Sequence, residues 1–120
     1  MSAGTPAATL LRRAEQILDG EVDVGTYSAR MAALLARRAL EIAVAERCAR
    51  LGAVLPERVQ MRSRLAVLRV HDELARARAA SFAWGQLSAV CHHHAYELAP
   101  TVDEVRALCR YVAELCRDGT

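Results

Sequence analysis

Lysine and asparagine are absent from this sequence, so all 16 basic residues are arginines. Aromatic residues make up only 4% of the chain, although 53% of its residues are hydrophobic. A core of this composition must be built mainly from alanine, leucine and valine, and that mixture favours helices over sheets. Large side chains are limited to Phe82, Trp84 and three tyrosines. We therefore expect Trp84 to be the largest anchor of the core.

Long apolar runs are also missing. No stretch approaches the ~20 residues that a membrane span needs, and the N-terminal segment MSAGTPAATLLRRAEQ lacks a basic region followed by an apolar core. We expect no membrane association and a soluble, cytoplasmic protein. The chain of 120 residues suits one domain. Its net charge of +2 is too small to indicate nucleic-acid binding by the whole surface, so any such function must depend on local clusters.

The four cysteines show no CxxC spacing. Cys109 and Cys116 are seven residues apart on one predicted helix, which separates them by about 10.5 Å along the axis, beyond the reach of a disulfide. Together with Cys48 and Cys91, they are typical of small buried hydrophobic residues in a reducing compartment.

Capping and helix-breaking residues delimit five helical segments. Thr5 and Pro6 predict the start of a short N-terminal helix over TLLRRAEQILD, which ends at Gly20. A second helix is expected from about Thr26 to Gly52. A third follows Pro56 over ERVQMRSRLAVLRVHDELARARA, and its pattern weakens at residues 79–81.

The fourth predicted helix, FAWGQLSAVCHHHAYEL, must end before Pro100. Thr101 and Glu104 then form a capping-box pattern for the fifth helix, VDEVRALCRYVAELCR. The sequence contains no alternating strand pattern and no internal repeat. It predicts an all-α, antiparallel up-and-down bundle, a single domain over residues 1–120 with four long helices and a short N-terminal helix within residues 1–20.

Arginines are grouped on two faces of the third predicted helix. One face is predicted to be a solvent-exposed basic stripe and a candidate contact for RNA phosphates, formed by Arg58, Arg62, Arg69 and Arg76. An ordinary solvated face is the competing interpretation. The opposite face carries Arg64, His71 and Arg78, which we expect to point toward the core or toward a partner.

The fourth predicted helix distributes its three histidines over several faces. His94 shares an apolar stripe with Trp84, Leu87, Cys91 and Leu98, and is expected to face inward. Ser88, His92 and Tyr96 are stacked on the far side, and His93 pairs with Glu97. His92, His93 and Tyr96 are therefore candidate RNA contacts. The alternative is that His94 is a hydrogen-bonded core histidine and that His92 and His93 are solvated.

The same distribution prevents the histidines from forming one three-ligand metal site. The chain has no Glu-x-x-His pair for a di-iron bundle, and Cys91 with His94 would need zinc ligands that no pattern identifies. It also has no glycine-rich phosphate loop, no GxSxG elbow and no metalloprotease motif. Cys91 beside His92 is not a nucleophile-base pair, because adjacent helical side chains diverge. We expect neither a metal nor a cofactor.

The segment VCHHHAYELAPTVDEVRALCRYV resembles the C-terminal part of HEPN domains, helical bundles of prokaryotic toxin-antitoxin, defence and nucleotide-binding systems. The predicted second helix, ARMAALLARRALEIAVAERCARLG, is similar to an early helix of that family. The resemblance covers roughly Arg30 to Cys116 and implies an HEPN-like bundle.

In catalytic members of that family an arginine precedes a histidine by less than two helical turns. If His94 is that histidine, the arginine should lie near Leu87, Ser88 or Ala89, and none of these is basic. A second register pairs Arg64 with His71, although the sequence that follows differs from the family. The candidate catalytic residues are therefore His94, Arg64 and His71, with Arg64 or Arg69 meeting His94 across a helix interface.

The resemblance and the missing arginine lead to three functional hypotheses. The first is an HEPN-like module that acts by self-association and by binding a protein or RNA partner, in a bacterial stress or defence context. The second is a metal-independent endoribonuclease, and the third is a structural adaptor. We expect a homodimer, because apolar residues of the second helix, including Met31, Leu34 and Leu35, occupy more than one stripe. The alternative is that the N-terminal helix covers this surface as a lid.

Overall fold

The structure, a computed structural model, describes residues 5–23, 25–92 and 100–117. All regular elements in these ranges are helical, and no strand occurs in them. The helices are α1 (Pro6–Leu18), α2 (Ser28–Arg50), α3 (Met61–His71), α4 (Leu74–Cys91) and α5 (Val102–Arg117), with one 3-10 turn at Gly25–Tyr27 before α2. For these ranges, the prediction of an all-helical protein with five helices is confirmed. The shortest of them is α3, with 11 residues, and not the N-terminal α1, which has 13.

Capping interactions fix the starts of α1 and α5 as the sequence predicted. The hydroxyl of Thr5 accepts the amide of Ala8 over 3.1 Å, and Pro6 is the first helical residue. At α5 the hydroxyl of Thr101 accepts the amide of Glu104 over 3.0 Å, and the Glu104 carboxylate accepts the Thr101 amide over 3.4 Å. Each cap satisfies backbone amides that have no partner within their helix.

The boundary predicted between the third and fourth helices was wrong. α3 ends at His71 and α4 begins at Leu74, so one continuous helix crosses residues 79–81, where a break was expected. The break lies at Asp72, whose carboxylate accepts the Glu73 amide over 2.8 Å and both Nε and Nη2 of Arg47 in α2. Local side-chain to backbone bonding of this kind competes with helix formation, while the alanines near position 80 favour it.

α2 lies at the centre of the bundle and packs against each of the other four helices. Its buried face is rich in alanine, as is that of α4, which lets these helices approach closely. The largest fully buried side chains include Leu40, Leu68 and Leu87. The radius of gyration of 14.4 Å is close to the ~13.6 Å expected for a globular chain of this length.

Trp84 is only partly buried and packs against the edge of the core. The expectation that it is the largest core anchor was therefore wrong, since leucines fill that role. The N-terminal helix, in contrast, belongs to the core. Leu11, Ile17 and Leu18 of α1 are buried where α1 packs on α2 and α5.

No helix of the described ranges combines the length and the apolar character needed to cross a bilayer.

Candidate functional site

Two arginines of α2 contact the C-terminal half of α4. Arg30 donates from Nη2 to the carbonyl oxygen of Cys91 over 3.0 Å, at a helix end where carbonyls have no partner within the helix. Seven residues later, Arg37 donates from Nε to the hydroxyl oxygen of Ser88 over 3.2 Å. Both arginines are partly buried. The bundle thus holds two guanidinium groups against the same end of α4.

Arg37 also lies over the indole ring of Trp84, with its guanidinium carbon 4.3 Å from the ring centroid. This is a cation–π contact, in which the positive charge meets the negative face of the ring. The ring contact and the hydrogen bond to Ser88 restrain the guanidinium plane from two directions. Arg37 is therefore more rigidly placed than an ordinary surface arginine.

The positive charge of these two residues is not neutralised within the described ranges. No ion pair there joins Arg30 or Arg37 to a carboxylate. Burial raises the pKa of the nearby Cys91 thiol, and the charges of Arg37 and Arg30 oppose that rise without reversing it. The thiol stays protonated at neutral pH, so Cys91 is not an activated nucleophile.

His92 completes this surface at the end of α4. It is the C-terminal capping residue, its amide donates to the carbonyl of Ser88 over 3.1 Å, and its side chain is exposed. We call Arg30, Arg37, Ser88 and His92 the arginine-histidine surface. The other candidates of this segment lie outside the described residues, and their roles stay predictions: His93, His94, Tyr96, Glu97 and Leu98.

The structure does not bring Arg64 and His71 together. Arg64 donates from Nη2 to the carbonyls of Pro56 and Glu57, each over 3.3 Å, in the segment before α3. His71 is exposed in the last turn of α3, about 10.5 Å further along the axis. Arg78 belongs to α4 and is also exposed. The expectation that His71 and Arg78 face the core was wrong, and contact with a partner stays a prediction.

The predicted arginine stripe is interrupted. Arg58 precedes α3, Arg62 and Arg69 are exposed on α3, and Arg76 lies in α4. Only 12% of the Arg76 side chain is exposed, because its Nη1 bonds to the Asp72 carboxylate over 2.8 Å. The prediction of a continuous exposed stripe of four arginines was therefore wrong. RNA binding by Arg58, Arg62 and Arg69 stays a prediction.

Asp72 is an ionised carboxylate within a structural cluster. The hydrogen bond from Arg47 is the largest cause that lowers its pKa to about 2, burial acts in the opposite direction, and Arg76 adds to the lowering. Its side chain is 1% exposed. Since Arg47 and Arg76 belong to α2 and α4, this carboxylate ties the α3–α4 junction to the central helix.

A groove of 280 Å³ lies between α2 and the segment leading into α3. Its lining includes Glu41, Glu46 and Glu57 together with Arg38 and Arg64. An anion would meet three carboxylates there, so this groove suits a phosphate less well than the arginine-histidine surface does. Within the described ranges, no group of three or more His, Cys, Asp or Glu residues is placed to hold a metal ion.

Sequence reasoning missed Arg30 and Arg37, although a signal for them exists. They occupy the same face of α2 as buried Ala33, Leu40 and Val44, at alternating spacings of three and four residues. A charged residue at such a position must point along a helix interface. The same pattern continues to Arg47, three residues after buried Val44, and Arg47 reaches Asp72.

Comparison of the chain with protein-family models, with curated proteins and with solved structures found no significant match.

Proposed function

We propose that this chain is an HEPN-like bundle of antiparallel helices that binds RNA through the arginine-histidine surface and associates with itself. The cellular setting we propose is a bacterial toxin-antitoxin, stress or defence system. The observation that carries RNA binding is that Arg30 and Arg37 both bond to the last turn of α4, which is followed by exposed His92, with no carboxylate paired to either arginine in the described ranges.

The chemistry of these groups matches that of a phosphodiester backbone. Guanidinium groups present several N–H donors in one plane and bind phosphate oxygens through charge-assisted hydrogen bonds. Arg30 and Arg37 each use one donor within the bundle, which leaves other donors on the same groups for a ligand. Because both arginines project from a helix at the centre of the bundle, a phosphate would meet them without a large ordering cost.

Fluorescence anisotropy with a labelled single-stranded RNA tests this proposal. Replacing Arg30 and Arg37 together by glutamine should weaken binding at least about tenfold, since two charged contacts are lost. The slope of log affinity against log salt should also become shallower by about 1.4, at about 0.7 per phosphate contact.

The matched control is Arg12→Gln with Arg13→Gln, which removes two exposed arginines of α1. It changes the net charge equally and should have a much smaller effect. Equal losses in the two double variants, or no RNA binding at low salt, would show that the surface is not the binding site.

A specific observation also favours the endoribonuclease hypothesis as a second candidate. Arg37 of α2 reaches Ser88, one of the three positions where the family resemblance requires an arginine. In such a reaction a base takes the proton of the 2′-hydroxyl, whose oxygen attacks the adjoining phosphorus, and a cation stabilises the charged phosphorane. The bond from phosphorus to the 5′-oxygen then breaks, and that oxygen leaves with a proton, which gives a 2′,3′-cyclic phosphate. An arginine from α2 would supply the cation, and His94 would be the base.

Incubation of the protein with total RNA in EDTA tests this candidate. Cleavage that requires His94 and Arg37 supports an arginine supplied by α2, whereas cleavage that requires His94 and Arg64 supports the register predicted from α3. Absence of cleavage at high protein concentration would exclude the endoribonuclease and leave RNA binding without catalysis as the proposed function. A monomer without RNA affinity would instead support the structural adaptor.

A further inference from the structure

The contact between Trp84 and Arg37 goes beyond what phosphate binding requires. A phosphate contact needs only charge and donors, but Arg37 also lies over the indole ring, with its guanidinium carbon 4.3 Å from the ring centroid, and donates to Ser88 through Nε. Both Arg37 and Trp84 are only partly buried, so part of the pair is exposed to solvent. A planar cation over a partly exposed aromatic ring is a surface on which a flat ring can stack.

The surroundings leave room for such a ring. Gly85 follows Trp84 in α4 and is exposed, and a Cβ atom placed on it would meet nothing within 4 Å. Ser81 and Ser88, its helical neighbours on the side of Trp84, are small. The large neighbour Phe82 lies on the other side of Gly85 and packs against Tyr111 of α5, with the ring centroids 5.2 Å apart. The flank of α4 between Trp84 and Gly85 therefore leaves space for a nucleobase to approach.

We propose that the Trp84–Arg37 pair is a stacking platform for one unpaired nucleobase, so that the ligand is single-stranded RNA rather than a duplex. This inference rests on the proposed RNA-binding function. Bases exposed in single strands stack on aromatic rings and on arginine planes, whereas bases inside a duplex are unavailable for stacking. Arg30, seven residues before Arg37 on α2, contacts the adjoining phosphate.

The stacking platform is tested by measuring how tightly the wild-type protein binds three RNAs of about 12 nucleotides. This length lies within the site sizes of single-strand binders. They are a mixed single strand without self-complementarity, the same strand with its central bases replaced by abasic ribose, and its duplex. The intact single strand should bind about tenfold more tightly than either of the others, as expected for one stacked base. Trp84 is the only tryptophan, so its fluorescence should change with the intact strand and not with the abasic one.

Arg37→Lys is the decisive variant, because it keeps the charge and removes the plane. It should lose the preference for intact over abasic RNA and retain its salt dependence. The matched control is Arg38→Lys, since Arg38 is exposed and pairs with Glu41 at 3.7 Å. Circular dichroism establishes that both variants are folded, and if Arg37→Lys is not, the wild-type comparison of intact with abasic RNA decides.

The outcomes separate the two proposals. Equal binding of intact, abasic and duplex RNA, or a base preference that survives in Arg37→Lys, overturns the platform and leaves the RNA-binding function standing. Failure to bind any of the three RNAs overturns the proposed function, and the platform with it.

Discussion

At the scale of single residues, Asp72 has the clearest effect on the fold, because it determines where α3 ends and α4 begins. Its carboxylate accepts hydrogen bonds from Arg47, from Arg76 and from the amide of Glu73, so it both interrupts the chain of helical residues and binds two other helices. A buried carboxylate that lost these partners would be strongly destabilising. The position of the α3–α4 junction therefore depends on one side chain and its tertiary partners.

The lowered pKa of Asp72 predicts a specific loss of stability in acid. A pKa lowered from 3.8 to about 2 means that the folded state prefers the ionised form, which stabilises it by about 2 kcal/mol above pH 4. That contribution should disappear as the pH falls from about 4 to about 2, because the carboxyl then becomes protonated. Urea unfolding across this pH range gives the free energy of unfolding of the wild type and of Asp72→Asn. The contribution of the Asp72 carboxylate is the difference between the two.

The control for this measurement is Asp103→Asn, which changes an exposed carboxylate in the first turn of α5. It should lower the free energy of unfolding by a few tenths of a kcal/mol, through the helix dipole. A stability difference between wild type and Asp72→Asn that stays constant from pH 7 to pH 2 would contradict the assignment of the shift to Asp72.

Residue patterns predicted apolar burial well and arginine placement poorly. Leu87 and Cys91 are buried as the apolar stripe of the fourth helix required. Arg37 was missed, and Arg76 was predicted on an exposed stripe, because a long side chain carries its charge away from its own Cα, along whichever interface offers a partner. No sequence pattern specifies the pairing of Arg37 with Ser88, whereas Asp72 and Arg76 are four residues apart, a spacing typical of ion pairs.

At the scale of helices, local chemistry set the predictable boundaries. Gly20 and Gly52 adopt φ angles of +79° and +88° after α1 and α2, the left-handed conformation that favours glycine at helix ends. These ends, like the caps at Thr5 and Thr101, depend on nearby residues and were predicted. The α3–α4 junction was not, because it depends on Arg47, which is 25 positions away from Asp72 in the sequence.

The role of α1 predicts the result of removing it. A chain that starts at Glu21 lacks Leu11, Ile17 and Leu18, which are buried in the common core. Each such side chain contributes about 2–5 kcal/mol, and a domain of this size has only about 5–15 kcal/mol in total. The shortened chain should therefore lose its cooperative thermal transition, as measured by circular dichroism.

The full-length variant Arg13→Ala, which changes an exposed residue of α1, should keep that transition within a few degrees of wild type. If the shortened chain instead unfolded cooperatively and dimerised, α1 would act as a removable lid rather than as a part of the core.

At the scale of the whole molecule, charge and apolar surface lie side by side on α2. Its inward-pointing arginines reach the end of α4, while Met31 and Leu34 remain 44% and 45% exposed even though α1 packs on the same helix. Exposed apolar side chains next to fixed cations are typical of a surface that binds another molecule. Self-association and RNA binding would then involve neighbouring parts of one helix.

We predict that this apolar surface pairs two copies about a twofold axis. Met31 and Leu34 are three residues apart and lie on one side of α2, so each copy presents the same patch, as a twofold interface requires. Light scattering at micromolar concentration should give twice the 13.1 kDa of one chain. Leu34→Glu should give a monomer, because it places two like charges close to the axis in a buried interface.

The control for the dimer is Val70→Glu, at an α3 side chain that is 74% exposed. Val70 lies two residues before Asp72, which bonds to Arg47, and Arg47 is about 24 Å along α2 from Met31. This variant should remain dimeric, since a charge outside the interface changes only the solvated surface.

Comparison of Leu34→Glu with wild type in the RNA-binding assay then separates two modes of assembly. If the monomer binds RNA as tightly as the dimer, one copy contains the whole site. If its affinity falls while its circular dichroism is unchanged, either the two arginine-histidine surfaces of the dimer contact the same strand or the new carboxylate, four residues from Arg30 and three from Arg37, pairs with these arginines. A wild-type protein that stays monomeric at every concentration would contradict the prediction, and the exposed patch would then be left for a different partner.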